Sequence, residues 1–186
     1  MDLRPEAARA GANMRANIGW LYAGAGRGEG WLAAMSVARG FVLSGGIGRE
    51  RVRFLDGGLY EPADDGVDSL LLGAWSDRPT FSDLVDTVAI EIGGAGRHAT
   101  RLGRAFALCC WSVETFPGAV VSIHASAWDW LQDSAAGILI LEPAAPEVAG
   151  LLLYPCARYY IRDRALGLQL HKLLRQSMPR VLVPDD

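Results

Sequence analysis

Apolar and polar positions follow two rhythms along this chain, helical at the start and strand-like afterwards. Pro5 suits the first turn of a helix, and Met14, Ile18, Leu21 and Tyr22 recur on one helical face. The run Gly24-Ala-Gly-Arg-Gly-Glu-Gly30 breaks that pattern. A second helix is predicted over Trp31–Leu43, with Leu32, Met35 and Val42 facing a partner and Ser44–Gly48 ending it. Residues 1–46 therefore read as a helical N-terminal region.

From residue 47 the period shortens. Arg51-Val-Arg-Phe54 alternates polar and apolar like a half-buried strand, and Asp56-Gly57-Gly58 signals a turn. Ser69–Trp75 and Thr87–Ile92 are continuously apolar, as strands buried on both faces are. Four short apolar runs then recur: Ala119–His124, Gly137–Leu141, Arg158–Ile161 and Arg180–Val183. Helical patterns with boundary residues separate them. Ser126 and Asp129 match a capping box, Pro146 and Glu147 open a helix, and Asp163 can cap Arg164–Ser177 with its Leu166, Leu170, Leu173 and Leu174 stripe. Strand–helix alternation of this kind predicts βα units and a parallel sheet. The expected fold class is α/β, a three-layer, mostly parallel sheet over residues 47–186, preceded by the helical region.

Composition adds bounds. Of 186 residues, 51% are hydrophobic and 21% charged, a globular balance that excludes disorder of the whole chain. The formal net charge of -3 excludes a polyanion binder of the histone type. That total hides a division: residues 1–53 carry +4, residues 54–95 carry -8 and residues 96–186 carry +1. Pairing between the Arg-rich and acidic segments is therefore the first contact to look for. All basic residues except Lys172 are arginines, which suggests a GC-rich genome.

Three cysteines, with Cys109 and Cys110 adjacent in an apolar run, form no metal-ligand spacing and no disulfide framework. No apolar run reaches the roughly 18 residues of a membrane span, and the first residues lack the apolar stretch of a signal peptide. The cytoplasm is the expected location, with no membrane partner.

Ligands of an open parallel sheet bind at the carboxyl edge of its strands. Glu91, His124, Glu142 and Asp163 follow apolar runs and are placed there by the predicted elements. Gly94-x-Gly96-x-x-Ala99 follows the Glu91 strand and matches a relaxed dinucleotide fingerprint if a helix begins near His98. The acid expected downstream, Glu114, ends no evident strand. Glu91, Glu142 and Asp163 also resemble a degenerate Toprim-type magnesium site that lacks its paired DxD acids. Arg97, Arg101 and Arg104 would share one face of the helix predicted from His98 and could meet phosphates. The competing reading is a solvated face, or pairing with the acidic segment. There is no P-loop, no GxSxG elbow, and no HExxH or deaminase signature. No catalytic residue, metal or cofactor is assigned.

An ordered set of short motifs runs through the second half: Val88-Ala-Ile-Glu91, Thr100-Arg101-Leu-Gly103, Ile123-His124 with Trp130-Leu131, Gly137–Leu141, Ile161 to Asp163 with Leu166-Gly167, and Pro179-Arg-Val-Leu-Val183. In this order they resemble a loose group of phage- and prophage-encoded proteins of GC-rich alphaproteobacteria, over about residues 48–184. The resemblance implies a mobile-element context and carries over no catalytic residue.

The expected function is a non-enzymatic accessory or interaction protein of a mobile genetic element. It would engage a protein partner, or nucleic acid through Arg97, Arg101 and Arg104, and the large apolar area of Trp20 and Trp31 suits either packing of the N-terminal region on the domain or homo-oligomerisation. The alternative is nucleotide or small-ligand binding, enzymatic or not, at a pocket joining Glu91, Gly94, Gly96, His124 and Glu142.

Overall fold

The computed structural model describes residues 1–16, 47–75, 84–92, 97–108, 120–133, 137–153 and 158–177. The second predicted helix, the 180–183 run, Gly94, Gly96, Trp20, Trp31, Cys109 and Cys110 lie outside them.

Helix α1 (Arg4–Ala16) precedes five strands: β1 (Ile47–Phe54), β2 (Tyr60–Pro62), β3 (Val67–Trp75), β4 (Leu84–Glu91) and β5 (His98–Thr100). They form one antiparallel sheet in the order β2-β1-β3-β4-β5. This first sheet curls until its two edge strands meet. Leu59 bridges Thr100, and the Thr100 amide donates to the Gly58 carbonyl at 2.9 Å. The second half contains β6 (Ala107–Leu108), β7 (Val120–His124), α2 (Ala127–Gln132), β8 (Ile138–Ile140), α3 (Pro146–Leu152), β9 (Arg158–Ile161) and α4 (Arg164–Ser177). Its sheet has the order β6-β8-β7-β9, with β7 parallel to β8 and β9, and β6 antiparallel to β8.

The expected three-layer, mostly parallel α/β fold is therefore overturned. Among the described residues five of the seven strand ladders are antiparallel, and parallel pairing is confined to β7 and its two neighbours. The difference has a physical source. Strand–helix alternation runs only from β7 to α4, where the strands are indeed parallel, while the continuous apolar runs of β3 and β4 fit a curled antiparallel sheet with both faces buried. On β3 and β4, Leu70, Leu72, Val88 and Ile90 face the second sheet and α2. The intervening Leu71 and Ala89 face inward, with Val52, Tyr60, Ala99 and Ala10 of α1. A third apolar cluster lies on the far side of the second sheet, where Val121, Ile123, Ile138 and Ile140 meet Val148 of α3 and Leu166 and Leu170 of α4.

Helix α1 fits inside the curl because Gly48 leaves room. Any Cβ at that position would overlap Ala10, which is fully buried. A polar network then fixes the helix. The buried Tyr60 hydroxyl lies 2.6 Å from Thr87 Oγ1 and donates to Glu6 Oε1 at 2.9 Å. Arg101 Nε meets Glu6 Oε2 at 3.2 Å. Burial raises the Tyr60 pKa, so its hydroxyl keeps the proton it donates.

Arg-rich and acidic segments do pair. Arg49 meets Asp68 at 3.1 Å, and Arg53 meets Glu61 at 2.9 Å and Asp65 at 2.8 Å. Arg9 meets Glu50 at 2.9 Å within the N-terminal part. Such largely exposed pairs each contribute up to about 1 kcal/mol, so they set register more than stability.

The segment from His98 is strand β5, followed by a turn, where a helix was expected. Its imidazole is largely buried, and burial lowers its pKa below the ordinary 6.5, against the opposing effect of a hydrogen bond to the Leu141 backbone. The unfolded chain therefore takes up this proton first as pH falls. The His98 contribution to stability is fully present above about pH 6.5 and declines as pH drops toward the folded-state pKa. Unfolding free energies of wild type and His98→Gln measured from pH 8 to pH 5 should converge as pH falls below 6.5; a constant gap would refute this assignment.

Candidate functional site

The carboxyl edge of the three parallel strands is the part of this fold arranged to receive a ligand. From β7 the chain passes through α2 to β8 on one side, then through α3 to β9 on the other. The chain thus leaves β7 into α2 on one face of the sheet, and leaves the neighbouring β9 into α4 on the other. Such a reversal opens a crevice beyond the strand ends. A cleft of about 540 Å³ lies there.

Strand alternation forms its floor. Ser122 and His124 of β7 share a sheet face with Tyr160 of β9, because Ser122 pairs with Tyr160 and Ile123 with Ile161 in parallel register. Arg162 continues that alternation just past β9, and all four residues line the cleft. The opposite face of the same strands carries Val121, Ile123, Tyr159 and Ile161, which pack on α3 and α4. The cleft thus occupies the polar side of a two-faced sheet.

Helix α2 forms one wall with Asp129 and Asp133, four residues apart and so on one side of the helix. Its start is set by the expected cap, the Ser126 hydroxyl accepting from the Asp129 amide at 3.3 Å. Its position is set by Trp130, 1% exposed, whose Nε1 donates to the Gly137 carbonyl at 3.3 Å. Gly137 has φ of +78° and presses on the Ser122 carbonyl, where no side chain fits. His124 Nε2 is shut off from solvent, 3.4 Å from Asp133 Oδ2 and without a bond of hydrogen-bonding geometry.

The other wall is the β9–α4 junction. Asp163 caps α4, its Oδ1 accepting from the Leu166 amide at 2.7 Å. On either side of it stand the exposed Arg162 and Arg164, both lining the cleft. Neither forms an ion pair with another described residue, unlike Arg9, Arg49, Arg53, Arg97 and Arg101.

Of the described residues expected to form one pocket, only His124 lines this cleft. Glu91 ends β4 in the first sheet, where its carboxylate lies 3.5 Å from Arg97 Nε. Glu142 follows β8 and turns back on the chain, accepting from the Ala144 amide at 3.2 Å. Gly94 and Gly96 lie outside the described residues. The separation of Glu91 follows from the fold correction, since β4 belongs to the antiparallel sheet and has no place on the parallel edge. Arg97, Arg101 and Arg104 share no helical face either. Arg97 lies 4.2 Å from the centre of the Phe54 ring, and Arg101 is held by Glu6 and the Tyr60 carbonyl. Arg104 is exposed, with its backbone amide tied to Asp86.

Sequence reasoning missed Asp129, Asp133, Tyr160, Arg162 and Arg164 as cleft residues. The signal was available for the last two: they flank Asp163, already assigned to the carboxyl edge. Among the described residues no group of three His, Cys, Asp or Glu side chains is placed to hold a metal ion, and no helix is long and apolar enough to cross a membrane. The chain matches no protein-family model, no curated protein and no solved structure.

Proposed function

We propose that this protein binds a small polar molecule in the cleft between β7, β9 and α2. One observation carries the reading: the cleft lies between the neighbouring parallel strands β7 and β9, whose following helices go to opposite faces of the sheet, the position at which α/β sheets take ligands. Its size falls within the roughly 300–1,000 Å³ of small-molecule sites, and polar side chains converge on it from three elements. A nucleic-acid surface built on Arg97, Arg101 and Arg104 receives less support, because two of the three guanidinium groups are committed to internal partners.

Ser122→Trp places an indole on the floor of the cleft. Ligands detected for the wild-type protein in a saturation-transfer NMR screen of polar metabolites should be lost by this variant, with its circular dichroism and Tm little changed. Ligands that bind both proteins equally, or no ligand for either, would overturn the proposal.

A further inference from the structure

We infer that the ligand of this cleft is a small zwitterion of the α-amino-acid type, an inference that rests on the cleft reading above. The charges lining the cleft are sorted by wall. Helix α2 contributes two carboxylates, Asp129 and Asp133, on adjacent turns. The β9–α4 junction contributes two guanidinium groups, Arg162 and Arg164. Asp163 stands between them, but its charge faces the α4 amides it caps. A wall bearing two negative charges therefore faces one that is effectively positive.

Neither a simple cation nor a simple anion complements both walls. A purely anionic ligand gains from Arg162 and Arg164 and is repelled by Asp129 and Asp133; a purely cationic one meets the reverse. An ammonium and a carboxylate on one carbon satisfy both, with charge-assisted hydrogen bonds at each end. A carboxylate also suits the planar fork of arginine. The walls stand on rigid elements, α2 clamped by Trp130 and α4 capped by Asp163. Between them the Tyr160 ring, 55% exposed on the floor, offers a π face and apolar area to the rest of the ligand. His124, on the floor of the cleft, places its Nε2 3.4 Å from Asp133 Oδ2 and acts as a positioning residue for that carboxylate.

The test is calorimetric titration of the full chain with each of the twenty free amino acids, their amides (ammonium only), their N-acetyl forms (carboxylate only) and adenosine monophosphate. At least one free amino acid should bind, with its amide and its N-acetyl form each at least tenfold weaker. Asp129→Asn/Asp133→Asn should weaken the free amino acid at least tenfold and leave the N-acetyl form no weaker than before. Arg162→Gln/Arg164→Gln should weaken the free amino acid equally and leave the amide no weaker. Adenosine monophosphate binding where no amino acid does, with loss in Ser122→Trp, would overturn the zwitterion and keep the cleft. Amino-acid binding unmoved by either double variant would overturn this inference. An absence of binding by every probe, joined to an empty metabolite screen, would overturn both.

Discussion

Asp86→Ala should lower the free energy of unfolding by about 3–5 kcal/mol, the largest expected effect of a single polar substitution in this chain. Asp86 is fully buried on β4. Its Oδ1 accepts from the backbone amides of Thr87, Arg101 and Leu102 at 2.8, 3.1 and 2.9 Å. Its Oδ2 accepts from those of Arg104 and Ala105 at 2.7 and 3.2 Å. Five amides thus converge on one carboxylate, and four of them belong to the segment that carries the chain from the first sheet to the second. Alanine leaves these donors without an acceptor, at roughly 1–3 kcal/mol for each that stays buried; those that open to water recover part of the loss. The fifth residue of that segment to matter is Gly103, whose φ of +69° allows the tight path around the carboxylate. Asp86→Asn keeps the shape, but its amide group turns donors toward donors, so it should fall between wild type and Asp86→Ala. Urea denaturation of the three proteins checks the order. A loss under about 1 kcal/mol in Asp86→Ala would show that residues 101–105 hold their course without the carboxylate.

Trp130→Ala should cost a similar amount, about 3–5 kcal/mol, for a different reason. The indole sits in the cluster that joins Leu70, Leu72, Val88 and Ile90 of the first sheet to Leu108 and Leu139 of the second. Deleting it opens a cavity at the junction of the two sheets and frees α2, a helix of six residues with little stability of its own. Trp130→Phe retains most of the apolar contact, loses the bond to the Gly137 carbonyl, and should cost about 1–2 kcal/mol. Amide hydrogen exchange supplies the decisive reading. In Trp130→Ala the α2 amides should exchange faster by more than the global destabilisation requires. Uniform acceleration across the chain would mean that α2 does not depend on this residue for its position. Because Asp129 and Asp133 ride on α2, the same substitution should weaken binding in the cleft.

Local chemistry was legible. Ser126 and Asp163 cap helices where their spacing to the following apolar run placed them, and Pro146 opens α3. The runs beginning near residues 51, 69, 87, 119, 137 and 158 all contain strands. Of Trp128 and Trp130, two residues apart and so on different helix sides, only Trp130 is fully buried. The candidate site was legible only in outline: the carboxyl-edge rule finds His124, Glu142 and Asp163, although Glu142 turns back on its own chain, while Glu91 belongs to the other sheet. Asp86 went unnoticed, although an acid set between Leu84-Val85 and the Thr87–Ile92 run is itself a signal, since a buried charge must find partners.

What the sequence determined by itself is where the longer strands and the capped helices lie, because capping and apolar periodicity are decided within a few residues; the short β2, β5 and β6 carry no such signal. It also pointed to pairing between the Arg-rich and acidic segments, which Arg49 and Arg53 make with Asp68, Glu61 and Asp65. Tertiary structure alone decided how the strands pair. An apolar strand has the same composition whether its neighbour runs parallel or antiparallel, and whether its second face is covered by a helix in a curl or by another sheet. Choosing between them takes contacts far apart in the chain: Leu59 with Thr100, Glu6 with Tyr60, Asp86 with residues 101–105. The same choice moved Glu91 away from His124 and set Asp129 and Asp133 across a cleft from Arg162 and Arg164. The net charge of -3 is the sum of these groups, and only the fold gives them places.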